Sequence, residues 1–128
     1  MPNIDTMETA LGQALRAVAG VDRVAWPNRT EDPARPFVMF DHVPTNWSNV
    51  TVDASEVRAE GYVVLTVVSQ AGQFSTAANL LAQAIISAFA IGRRLGGVCI
   101  VQARPLQGFP EGADWRQPVR VDYRSESV

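Results

Sequence analysis

The stretch EVRAEGYVVLTVVSQ, residues 56–70, constrains this chain most. Side chains alternate across an extended strand, so Val57, Ala59, Gly61, Val63, Leu65 and Val67 share one face. The opposite face reads Glu56, Arg58, Glu60, Tyr62, Val64, Thr66 and Val68, charged in its first half and apolar in its second. Strands are usually about 5–6 residues long, and this run exceeds that. Its N-terminal half is expected to project past the body. Its C-terminal half is expected to be covered on both faces.

Other strands are legible around it. Trp115, Gln117, Val119, Val121 and Tyr123 share one face of a closing strand, with Arg116, Pro118, Arg120, Asp122 and Arg124 on the other. That alternation describes a sheet with one buried and one wet face. Phe37–Pro44 and Val98–Leu106 read as further strands, and Val24–Trp26 as a short one. Thr45–Ala54 is polar and turn-rich and reads as a long hairpin connection; Gln107–Asp114 reads as a turn. Trp26-Pro27-Asn28 forms a stiff corner, and Pro33 and Pro36 punctuate the loop after it.

Two helices complete the pattern. The first has Asp5 as N-cap candidate and Glu8 three residues on, the spacing of a capping box. Met7, Leu11, Leu15 and Val18 follow at helical spacing, and Gly20 is a natural stop. The second runs from about Ser75 to about Ala90, with Ala78, Leu81, Ile85 and Phe89 as its core stripe. Thr76, Asn79, Gln83 and Ser87 form the opposite stripe, while Leu80 and Ile86 lie outside the core stripe. No charged residue occurs from Ser75 to Ala90, although a surface helix normally has a charged face. A neighbour, either the first helix or another subunit, is expected to cover it. The fold class is α+β: a mostly antiparallel sheet of about four to five strands with two helices on one face.

Composition excludes several kinds of function. The 128 residues fit one domain, 1–128, with enough chain for a core. A net charge of -2 argues against a general nucleic-acid binder. All 11 basic residues are arginine, so no lysine can act as a nucleophile or phosphate-loop cation. Cys99, alone in an apolar run, makes no intrachain disulfide and reads as a buried thiol. Soft ligands are too few for a metal site. Met1–Ala19 has neither a basic start nor a continuous apolar run, and no run approaches the roughly 18 apolar residues of a membrane span. The expectation is a chain made in the cytosol. Asn28, Asn46 and Asn49 head Asn-x-Ser/Thr triplets, read here as loop chemistry.

Candidate chemistry is sparse. His42 is the one histidine, and Asp41 beside it points to the other face of the strand. An ordinary hydrogen bond explains His42 better than a catalytic role. The segment IGRRLGG, residues 91–97, follows a helix and lacks a lysine, so it reads as a helix stop and not a phosphate cradle. No catalytic, cofactor-binding or metal-binding residue is assigned. Trp47 and Phe109 sit in turn-like segments, where a large aromatic either serves a contact or folds back on its own hairpin. Glu56, Arg58 and Glu60 make either a solvated strand face or a salt-bridging partner surface. With Leu80, these residues are the candidate interface.

The chain resembles the tail terminator, or tail-completion, proteins of long-tailed bacteriophages and related prophages. The resemblance spans nearly the whole length. It rests on the leading helix, VAWPN with its proline-rich loop into RPFVMFDHVP, the long strand, the alanine-rich helix 75–90 and the closing DWRQPVRVDY. It implies a non-enzymatic virion protein made in the bacterial cytoplasm. Such proteins form a ring, usually hexameric, at the head-proximal end of the tail. The implied partners are copies of itself, the tail tube protein and a head or neck connector protein. DNA only passes through the channel, and no membrane or cofactor is involved. Two other readings fit the residues: a head–tail connector or neck protein, and a small dimeric α+β ligand-binding protein or enzyme using His42.

Overall fold

The computed structural model describes residues 4–26, 34, 36–49, 57–70 and 76–125. Helix α1 spans Ile4–Arg16 and helix α2 spans Thr76–Ala88. The strands are β1 (Val24–Ala25), β2 (Phe37–Asn49), β3 (Val57–Gln70), β4 (Arg94–Leu95), β5 (Val98–Pro105), β6 (Phe109–Glu111) and β7 (Asp114–Ser125). They form one seven-stranded sheet in the order β1-β2-β3-β7-β5-β4, with β6 paired to β7 beside that path.

The α+β class holds, but the sheet differs from expectation in two ways. It has more strands than the four to five expected, because β4 and β6 lie in segments read as a helix stop and a turn. It is also mixed, since β1 runs parallel to β2 while every other pair is antiparallel. Glycine and proline marked those segments as turns, yet two or three residues beside a long strand suffice for pairing. The polar hairpin expected over Thr45–Ala54 is also shorter. Thr45–Asn49 continue β2, and Asn46 to Asn49 pair with Glu60 to Val57 after a register shift at Pro44.

The long strand lies centrally, with β2 on one side and β7 on the other. Its expected inner face is the core: Ala59, Val63, Leu65 and Val67 are buried with Val119, Val121 and Tyr123 from β7. Both helices pack into the same cluster, through Met7, Leu11 and Leu15 on α1 and Ala78, Ala82, Ile85 and Phe89 on α2. The C-terminal half of β3 is covered on both faces, since Thr66 and Val68 are buried as well. Val68 joins Phe37 and Ala25 in a second small cluster, with Met39 packed against it.

Pro118 is tolerated in β7 because the β5 ladder ends one position short of it, at the pair Pro105–Val119. The Pro118 carbonyl is taken instead by the Leu106 amide at 2.9 Å.

Candidate functional site

His42 has partners that the sequence did not reveal. Its Nδ1 lies 2.7 Å from Glu8 Oε1 on α1, and its Nε2 is hydrogen-bonded to the Tyr123 hydroxyl on β7. Three elements therefore meet through one imidazole. Tyr123 reaches it across β3 because Gly61 stands between them. Gly61 is the register partner of both Pro44 and Tyr123, and a Cβ there would sit 2.7 Å from the phenol oxygen. Burial, aided by the Glu8 carboxylate, pushes the Tyr123 hydroxyl up from 10.0 to about 12. The phenol thus keeps its proton at neutral pH. A neutral imidazole satisfies both contacts, with Nδ1–H donating to Glu8 and Nε2 accepting from Tyr123.

This arrangement locks α1 to the sheet through a buried imidazole. The His42 side chain is only 1% exposed. A pocket of about 400 Å³ opens nearby and is lined by Glu8, Gly12, Arg16, Trp26 and Phe40, but His42 is not among its walls. A general base must lie within hydrogen-bond reach of the proton it takes. Here both ring nitrogens are already engaged.

The Glu8 contact also revises the expected capping box. Asp5 lies inside the first turn of α1, where its charge favours the positive end of the helix dipole. Glu8 turns toward the sheet instead of back to the helix start.

Trp26 is partly buried and packs against the core. Its indole packs 5.3 Å from the Phe40 ring, lies against Gly12 of α1, and carries the Arg16 guanidinium at 5.2 Å. Pro27 and Asn28, the rest of the corner, lie outside the described residues.

The candidate interface residues fall into three groups. Leu80 and Phe109 are exposed, at 67% and 42%. Arg58 and Glu60 are exposed on β3. Glu56 and the side chain of Trp47 lie outside the described residues; the backbone of Trp47 pairs with Ala59. The four whose side chains are described lie on three different elements. Leu80 sits on α2, Phe109 on β6, and Arg58 and Glu60 at the far end of β3.

Leu80 borders an apolar groove of about 520 Å³ that also takes in Pro36, Val67, Ala77, Leu81 and Ala84. The sequence reading missed Ile91, 78% exposed just after α2, and Val101, exposed on β5. Ile91 directly follows the uncharged helix, so extending that uncharged run by one residue would have found it.

The open sheet face is polar at one end. On it Arg120 lies 3.9 Å over the Tyr62 ring and donates to Asp122 at 3.0 Å. Glu60 stands opposite Arg124 in the same ladder. Opposite charges alternate there, as on a solvated face. Among the described residues no three His, Cys, Asp or Glu side chains converge as metal ligands, and no helix is long and apolar enough to cross a membrane.

The described surface carries exposed apolar residues at Leu80, Ile91, Val101 and Phe109, and a sequence comparison gives the chain a context. Residues 6–123 match the family described as phage tail terminator protein. The chain belongs to that family. It is therefore a structural tail protein of a phage-type particle. One solved structure shares 21% identity at a TM-score of 0.71, covering 95% of this chain and 92% of its own. A second, from the virion of a native gene transfer agent particle, shares 21% identity at a TM-score of 0.58, covering 96% and 95%. Both establish likeness of fold. No curated protein matches the sequence.

Proposed function

We propose that this tail terminator assembles into a ring, with six copies expected, on the head-proximal end of the tail tube. The ring stops tube growth and offers the surface that a head or neck connector protein meets. DNA crosses its channel without being held, as befits a chain of net charge -2. The family match over residues 6–123 carries this reading. Two structural observations support it. The outer flank of α2 has no charge and leaves Leu80 exposed, and Phe109 stands exposed on an edge strand. Both are features of a surface that a neighbour covers.

The test is a binding competition among purified particle proteins. The chain is expected to sediment with tail tube protein and to show a ring-sized mass by light scattering when concentrated or on the tube. Binding to a portal or adaptor protein with no affinity for the tube would replace this reading with that of a neck connector.

A further inference from the structure

Two apolar features are left open among the described residues, and both lack charge. One is the groove beside Leu80. None of its described lining residues carries a charge, and Ala77 and Ala84 let a neighbour approach closely. The other is the arm between β5 and β7. Residues 105–110, PLQGFP, also carry no charge.

The arm is held rigidly. The Leu106 amide donates to the Pro118 carbonyl at 2.9 Å, and Gln117 Nε2 donates to the Leu106 carbonyl at 2.7 Å. Gly108 lies so close to Trp115 that a Cβ there would stand 2.7 Å from the indole. β6 pairs only with β7 among the described strands, so Phe109 projects from an edge. A fixed, exposed aromatic loses little side-chain freedom on docking, which makes it a good anchor.

The placement of the two features fits a ring. The groove takes its sheet floor from Val67, Ser69 and Gln70, at the end of β3. The arm pairs with residues 114–116 of β7, and these pair in turn with residues 68–70 of β3. Arm and groove therefore lie at one level along the strands, with β7 between the arm and β3. A knob and a hole at different places on one chain join copies head to tail, and such a contact gives a ring when the rotation between copies closes.

We infer that the occupant of the Leu80 groove is the 105–110 arm of a second copy of this chain, inserted through Phe109. This rests on the ring reading above and assigns its subunit contact. One aromatic buries about 150–250 Å², whereas a stable interface needs about 800 Å² per partner, so the knob anchors a larger contact.

Two cysteine variants test the pairing in a Cys99→Ser background. Leu80→Cys and Phe109→Cys are each oxidised alone, then mixed, at a concentration where light scattering shows oligomer. The mixture is expected to give a covalent dimer, and neither variant alone should cross-link. The doubly substituted chain should give a ladder ending at the closed ring. Phe109→Asp should weaken association about tenfold or more, with the melting temperature little changed because Phe109 is a surface residue. Oligomers that form without cross-linking in the mixture would overturn the assignment and leave the ring reading standing. Cross-linking by Leu80→Cys alone would overturn it in favour of a symmetric contact. A chain that stays monomeric both alone and with tube protein would sink both.

Discussion

Helices α1 and α2 cover the same sheet face, but only one of them is finished on its outer side. α1 turns Asp5, Thr9, Gln13 and Arg16 to solvent and is tied down by Glu8 through His42 to Tyr123. α2 packs just as deeply inward, with Ile85 and Phe89 buried, yet its outer flank offers Leu80 and no charge. A helix face that meets water is charged or polar, and α2 exposes Asn79, Gln83 and Ser87 but no charge. The contrast separates a helix with a charged outer side from one whose outer side, with Asn79, Gln83, Ser87 and Leu80, is uncharged. In the proposed ring the second serves as a contact.

The largest effect should come from the inner side of α2. Ile85→Ala removes a fully buried side chain and should destabilise the subunit by about 2–5 kcal/mol in urea unfolding. A loss below about 1 kcal/mol would mean that α2 is not part of the core.

The α1 lock should be visible in alkali. The folded state keeps the Tyr123 proton up to about 12, whereas the unfolded chain releases it near 10.0. The folded state therefore binds more protons in that window, and stability falls as pH rises through it. The full loss is about 2–3 kcal/mol. Tyr123→Phe should flatten that slope in chemical denaturation from about pH 9 to about pH 12.

The same variant at neutral pH leaves His42 Nε2 buried without a donor. A loss of about 1–3 kcal/mol is expected. No change at neutral pH would show that the hydroxyl contributes nothing to holding α1.

The smallest stability effect belongs to the outer flank of α2. Leu80→Ser should move unfolding by no more than about 0.5 kcal/mol. It should nonetheless lower oligomer mass in light scattering at matched concentration. A large stability loss with unchanged association would reverse the contrast between the helices.

What the sequence disclosed follows from period and reach. The inner faces of β3 and β7 alternate strictly, so Val63, Leu65, Val119 and Val121 are legible as core from their spacing alone. The stripe of α2 is equally plain, although Ala82 is buried too and Leu81 only in part. β4 and β6 are too short to show a period, and the parallel pairing of β1 depends on where the chain returns, not on local pattern.

The lock was hidden for a different reason. Glu8, His42 and Tyr123 are separated by 34 and 81 positions in its two bonds, and no local signal links them. Gly61 was the available clue: a glycine within a strand marks close approach by something else, here the Tyr123 phenol. Phe109 shows the opposite case. Its exposure could not be decided from GFPEG alone, because pairing of β6 with β7 sets which way it faces.

Control of the tail tube is the central claim for this protein. Tube protein polymerised with and without the chain, then measured by electron microscopy, tests it directly. Shorter tubes of bounded length are expected in the presence of the chain, each with a ring of added density at one end. Tubes of unchanged length with bare ends at saturating chain would contradict the claim.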